Sequence, residues 1–215
     1  MDAPTLVTYK GRPVPYVSAW SSERVDLPQL RATAGGLVVE GQLCDAAGVS
    51  WKPWGNALGV GEPDYGAVHL PRQRECMHSL LCQVCRRPVQ RDGLGWPWLL
   101  EDHRSEPGWP EREVTTHPPV CEACQPVSAI QCDPNRGSFV SVRVGRVLVD
   151  GVYGQLYTPA PHPAPAGGET VLFAGDPRLL WMLGGQVAAT LLDVTIVDMS
   201  QLGTHAPAPR EVVRR

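Results

Sequence analysis

Two cysteine pairs constrain this chain more than any other feature. Cys82-Gln-Val-Cys85 and Cys121-Glu-Ala-Cys124 are both C-x2-C, and 35 residues lie between them. Two residues between thiolates let a tight turn aim both sulfurs at one point, and two such turns complete a tetrahedral Zn2+ site. Cys82, Cys85, Cys121 and Cys124 are therefore the candidate zinc ligands. Four thiolates leave no open coordination position and give the centre a net negative charge, so the ion's expected role is structural. A disulfide or redox reading is the alternative. A redox CxxC, however, normally stands alone at a strand-to-helix junction, and here there are two.

Three of the seven cysteines, Cys44, Cys76 and Cys132, remain as thiols or extra ligands. Cys76, His78, His117 and Cys132 could be read as a second metal set. On a helix, though, a C-x-H spacing turns the two side chains about 200° apart, a poor chelate. No charged segment followed by an apolar one opens the chain, and no run of about 18 apolar residues occurs. The expectation is a cytoplasmic protein with no membrane span. A reducing compartment favours metal over disulfides for the cysteine pairs.

The rest of the chain reads as short elements, in keeping with its 22 prolines and 22 glycines. Residues 5–10, 14–20 and 36–41 carry β-branched and aromatic residues between turn signals, and so read as strands. Residues 44–66 read as an ordered loop packed by Trp51 and Trp54. Pro71 suits the first turn of a helix that carries Met77, Leu80 and Leu81 on one face and runs into the first cysteine pair. Gly93–Leu100 predicts a hairpin whose Trp96 and Trp98 cover the metal lobe. A surface loop follows to Pro119, and 120–129 could begin a short helix. Val140, Val142 and Val144 alternate with Ser141 and Arg143, predicting a half-buried strand over 139–149, a turn at Asp150-Gly151 and a returning strand over 152–157. The Pro-rich segment 158–168 reads as a linker. Thr170–Ala174, an Asp176-capped helix with Leu179, Leu183, Val187 and Leu191 on its stripe, and Val194–Asp198 then predict strand–helix–strand.

The expected fold class is α+β. The N-terminal β-rich segment is 1–69 and the zinc lobe 70–135. A C-terminal hairpin plus strand–helix–strand unit spans 136–202, and a flexible tail 203–215. The 35-residue connection exceeds the roughly 15–20 of a zinc ribbon and suits a treble-clef layout.

In this middle segment the sequence resembles HNH endonucleases stapled by two CxxC pairs. Asp102-His103 stands 17 residues after Cys85 and 18 before Cys121, where that family carries an Asp-His pair. The resemblance implies His103 as general base and Asp102 as ligand to a catalytic divalent ion. The chain departs from the pattern twice: Thr115-Thr-His-Pro-Pro119 lacks the family's Asn, and Gln125 stands where a His often follows. A second resemblance covers about 60–200, to an uncharacterised actinobacterial family with paired CxxC motifs. It rests on Arg72-Gln-Arg74, both cysteine pairs, Gly151–Tyr157 and Asp176-Pro-Arg178, and it implies a bacterial origin and zinc binding without a mechanism.

The formal net charge of −3 counts against a sequence-independent nucleic-acid binder, which is usually basic overall. Arg72, Arg74, Arg86, Arg87 and Arg91 flank the first pair and are the candidate nucleic-acid or partner contacts. They could equally be helix-surface arginines answered by Glu75, Glu101, Asp102 and Glu106. No phosphate-binding glycine loop or nucleophile elbow is present. The leading expectation is a zinc-stabilised binding protein whose partner is a protein or nucleic acid. The alternatives are a diverged HNH nuclease using Asp102 and His103, and an enzyme whose pocket between lobes holds His103, His117 or Asp198.

Overall fold

A computed structural model describes residues 6–26, 29–131, 138–198 and 209–211. In chain order the strands begin with β1 (Leu6–Tyr9), β2 (Arg12–Val14), β3 (Ser18–Trp20), β4 (Leu30–Thr33), β5 (Gly36–Val39), β6 (Ser50–Trp51) and β7 (Pro63–Val68). Helix α1 (Leu70–His78), β8 (Trp96–Glu101), β9 (Val114–Thr115) and α2 (Gln125–Gln131) follow. Two long strands, β10 (Phe139–Tyr157) and β12 (Met182–Val197), flank β11 (Pro165–Phe173), and β13 (Pro209–Glu211) closes the described chain. The fold is dominated by mixed sheets with two short helices. Most of the expected tail lies outside the described residues, but its β13 segment pairs parallel to β1.

The antiparallel pairing of β10 with β12 is the frame, running from Ser141–Val197 to Leu156–Met182. The other edge of β10 is shared end to end by β8 and β11. Val140, Val142 and Val144 enter the main core with Met77, Trp98, Leu100, Val187, Ala189 and Leu191. Ser141 and Arg143, on the opposite face, are buried as well. The strand is thus covered on both sides, a polar face included.

Three sequence expectations fail here for physical reasons. First, Asp150-Gly151 makes no turn, and the chain runs straight through as β10. A Cβ on Gly151 would lie 3.0 Å from Ala188 Cβ and 3.2 Å from Val171 Cγ1. The glycine therefore serves close strand approach, with a bulge between Leu148 and Gly151. The reversal comes later. The Pro-rich segment forms the β10–β11 loop, closed by Thr158 N–H to Ala164 O at 2.9 Å.

Second, the expected helix after Asp176 is only a 3-10 turn over Pro177–Trp181, beyond which the chain is β12. The strand–helix–strand unit is therefore an antiparallel three-stranded one. A helix here would carry Gly184-Gly185 in its interior at about 1 kcal/mol each. In the strand those glycines let backbone meet side chain: a Cβ on Gly184 would lie 2.8 Å from the Trp51 ring. Because β12 is buried on both faces, its apolar residues run nearly continuously and imitate a helical stripe.

Third, Gly93–Leu100 is no hairpin. A turn at Asp92–Gly95, with Asp92 Oδ1 accepting Leu94 N–H at 2.8 Å and Gly95 N–H at 2.9 Å, feeds β8 onto β10. Trp98 enters the main core, while Trp96 packs beside the cysteines.

Helix α1 ties these parts together. His69 Nδ1 caps it by accepting Arg72 N–H at 3.2 Å, and His69 Nε2–H donates to Gly55 O at 2.8 Å. Arg72 forks onto buried Glu23 through Nη1–Oε1 at 2.8 Å and Nη2–Oε2 at 2.7 Å, anchoring the N-terminal segment. On its other side α1 completes the outer edge of β12. That edge pairs with β6 at Leu183–Gly184 and with β9 at Ala189–Thr190. In the gap, Gln73 Nε2 donates to Val187 O at 2.9 Å and Gln73 Oε1 accepts Val187 N–H at 3.1 Å. Arg74 Nη1 donates to Gly185 O at 2.9 Å. Side chains there stand in for a missing strand.

Gln73→Leu conserves bulk but leaves Val187 N–H and O, and Thr116 O, unpaired. The expected loss is roughly 3 kcal/mol, read as a lower urea midpoint at unchanged slope. A second expectation concerns pH. Burial lowers the pKa of His69, and its hydrogen bonds require the neutral ring. The unfolded state, titrating near about 6.5, then binds more protons than the folded one. This stability is fully present above about pH 6.5 and is lost as pH falls toward the folded value. Urea midpoints at about pH 7.5 and 5.5 should diverge, and diverge less in His69→Asn.

Candidate metal centre

The first cysteine pair sits just beyond α1. Leu80 turns the chain with φ of 48°, Cys82 N–H donates to Arg87 O at 2.8 Å and Arg86 N–H to Cys82 O at 2.8 Å. Arg86 takes a left-handed φ of 61° to close this knuckle. The second pair lies on a single helical turn leading into α2, where Cys124 N–H donates to Cys121 O at 2.8 Å. Backbone joins the two turns directly, through Gln83 N–H to Pro119 O at 3.0 Å.

The four sulfurs lie within 4.8 Å of one another. Cys85 Sγ and Cys121 Sγ are 3.8 Å apart, which is the edge of a tetrahedron with metal–sulfur bonds of about 2.3 Å and far beyond a disulfide bond of about 2.05 Å. Cys82 and Cys124 are fully buried, whereas Cys85 and Cys121 are partly exposed. Leu6, Val84, Val89, Leu99 and Val120 form a dry shell, with Trp96 and Phe139 against it. Cys121 N–H donates to Cys82 Sγ at 3.4 Å, and a hydrogen bond to Cys85 keeps the partly desolvated Arg87 protonated.

The thiols compete for protons. Hydrogen bonds from neighbouring sulfurs push Cys85 and Cys121 down, while burial raises Cys82 and its sulfur neighbours raise Cys124. Four such groups can all be thiolates only if a cation replaces the shared protons. The donor set therefore fits a metal ion such as zinc.

Two buried side chains lock this lobe to the frame. Gln125 Nε2 donates to Trp98 O at 3.3 Å and to Val120 O at 3.2 Å, and its Oε1 accepts Ser141 Oγ–H at 2.7 Å. Arg143, from β10, reaches Asp92 Oδ2 at 2.5 Å and also Glu122, which lies between the second pair of cysteines. The polar face of β10 is thus the floor of the metal lobe.

The other sequence candidates are placed differently. Asp102 accepts two bonds from the Arg104 guanidinium, at 2.9 and 2.6 Å, and one from Ser138, so its carboxyl is held well below the usual range. His103 Nδ1 lies 3.1 Å from Glu106 Oε1. Neither joins a metal-sized group among the described residues, where the four cysteines form the one such cluster. Arg72 is buried on Glu23, and Arg74 stacks on Trp51 at 4.5 Å with burial lowering its pKa to about 10. Arg86 pairs with Glu75 at 2.7 Å, and Arg91 lies over Trp96 at 5.0 Å. Arg72 and Arg74 are thus committed to internal partners, while Arg86, Arg87 and Arg91 are exposed.

Cys76 is buried, with desolvation pushing its thiol up to about 12, while His78 points outward, so they share no site. Cys44 meets Ser50 Oγ at 3.4 Å, and Cys132 lies outside the described residues. Gln73, Gln125, Arg143 and Glu23 escape sequence reasoning. Their residue types carry no signal of burial, and only their positions beside apolar runs hint at it.

The fold and centre define a β-rich protein built around a closed four-cysteine cluster. No family model matches the chain, and neither a curated protein nor a solved structure matches it significantly.

Cys82→Ser puts a hydroxyl among Val84, Val89 and Val120 and removes an inner sulfur. Amide exchange over 82–125 should accelerate sharply, toward the rate of an unfolded segment. Cys44→Ser, outside the cluster, should leave it unchanged.

Proposed function

We propose that the four cysteines hold one structural Zn2+ and that the chain is a zinc-stapled binding protein with a protein partner. The 3.8 Å sulfur–sulfur edge carries this reading, because four thiolates at that spacing leave no coordination site for water or substrate. A knuckle after α1, an intervening strand, and a second pair on the turn into α2 support a treble-clef-like description of the lobe. The half-exposed sulfurs support a reducing compartment, cytoplasm included, since outside it they would be oxidised.

Charge separates the two classes of partner. The chain carries a net charge of −3, and Arg72 and Arg74 are committed to internal partners. Near the centre, Arg86 pairs with Glu75, Arg87 bonds to Cys85 and Arg91 lies over Trp96. A phosphate backbone calls for a run of cations, whereas one guanidinium stacked on an indole is common at protein interfaces. The nuclease alternative rests on Asp102, whose carboxylate is taken up by Arg104 and Ser138, and on His103, whose Nδ1 faces Glu106.

Elemental analysis of purified protein should give one zinc per chain. Stripping the metal should unfold the lobe, since binding free energy there, on the order of 10 kcal/mol, is folding free energy. Plasmid incubated with Mg2+ or Mn2+ should remain intact, and low-salt shift assays should show no complex. Cleavage that disappears in His103→Ala would install the nuclease reading instead.

A further inference from the structure

A cavity of about 590 Å³ opens on the sheet, away from the chemistry of the cysteines. Its floor is one face of β10, where Tyr153, Gln155 and Tyr157 follow one another at the two-residue period of a strand. Cross-strand neighbours extend the floor, with Gln186 opposite Tyr153 and Glu169 opposite Gln155. The loop after β6 supplies Lys52 and Trp54 as wall, and Gly185 leaves the backbone of β12 bare. The volume falls within the roughly 300–1,000 Å³ of small-molecule sites.

The groups lining this space are specific in kind. Trp54, Tyr153 and Tyr157 offer three aromatic rings. Lys52 is the sole lysine or arginine in the lining. Neither its ammonium nor the Gln186 amide has a hydrogen-bond or ion-pair partner among the described residues. Glu169, by contrast, accepts the Tyr153 hydroxyl at 2.8 Å and brings a carboxylate to the same cavity. Lys52 follows β6 and Glu169 lies on β11, with β10 and β12 between them, so the lining has a cation on one side and a carboxylate on the other. This favours a ligand with a single negative charge at its Lys52 end, because a second charge toward β11 would meet Glu169 unanswered.

We infer that this cavity binds a planar, singly anionic small molecule, an aromatic or heteroaromatic carboxylate. Its ring packs against Trp54 and the tyrosines, its carboxylate pairs with Lys52, and the Gln186 amide bonds its edge. The site stands on its own residues and holds whether or not the cysteines carry zinc.

Calorimetric titration of the full chain with indole-3-acetate and with benzoate tests this, with AMP as the dianionic comparison. Saturable binding of at least one carboxylate, one per chain and tighter than AMP, is expected. Lys52→Gln should weaken it roughly tenfold, the scale of one lost charge-assisted bond. Gly185→Leu, whose side chain would enter the cavity, should abolish it. The atoms nearest a Cβ at 185 are Tyr153 O at 3.5 Å and the Leu70 methyls at 3.9 Å, ordinary contact distances, so the backbone should accept the change. Lys52 is exposed, and its variant decides the matter alone should the Gly185 variant not fold. No saturable binding of either carboxylate, equal affinity in Lys52→Gln, or tighter binding of AMP would each overturn the inference.

Discussion

The long pairing of β10 with β12 is the interaction on which everything else is mounted, and its difficulty is the outer edge of β12. A 16-residue strand with an unpaired edge would template aggregation. Two short strands, β6 and β9, cover only parts of it. The remainder is closed by Gln73 and Arg74 from α1, and beyond β9 by the backbone of Arg112 and Glu113 on Leu191, at 2.9 Å each. Glu111 then accepts the N–H groups of Asp193 and Val194. An edge assembled from a helix's side chains and a loop depends on that helix being correctly placed. Its placement depends in turn on the buried Glu23–Arg72 fork and on the neutral ring of His69.

The cysteine cluster solves a related problem at the other end of β10. Polar Ser141 and Arg143 face a lobe too small to bury an apolar core of its own. The lobe answers with Gln125, Asp92 and Glu122, each meeting a polar group of the strand. Such polar contacts give orientation more than net stability, since desolvation offsets much of their attraction. A metal held by the two turns would supply the cohesion that the small apolar shell cannot. Centre and frame are coupled in any case, because the turns that carry the cysteines also carry the side chains that grip β10.

Three arginines are turned inward. Arg72, Arg74 and Arg143 are buried or nearly so, and each forks onto carboxylates, backbone carbonyls or rings. Planar guanidinium suits such crowded sites better than the compact, strongly hydrated ammonium of lysine. Lys52, one of two lysines in the chain, stands out because it lines a cavity with no acidic partner among the described residues.

Residues 70–78 and the two cysteine pairs were legible in the sequence because their causes are local. A proline in the first turn, apolar residues three and four apart, and two-residue thiolate spacing each act within a few residues. Asp150-Gly151 misled because glycine marks a turn in isolation, yet here it makes room for Ala188 and Val171, which lie far away in the chain. Arg72 resembled a surface cation, and only the arrival of Glu23, 49 residues earlier, made it a core residue. What the chain by itself determined was the closed sulfur cluster, one helix and the first stretch of β10, where Val140, Val142 and Val144 alternate with Ser141 and Arg143. The full length of β10 and β12, the closed edge of β12 and the cavity with its lysine came from tertiary structure, because burial on both faces of β12 erases the period by which a strand announces itself.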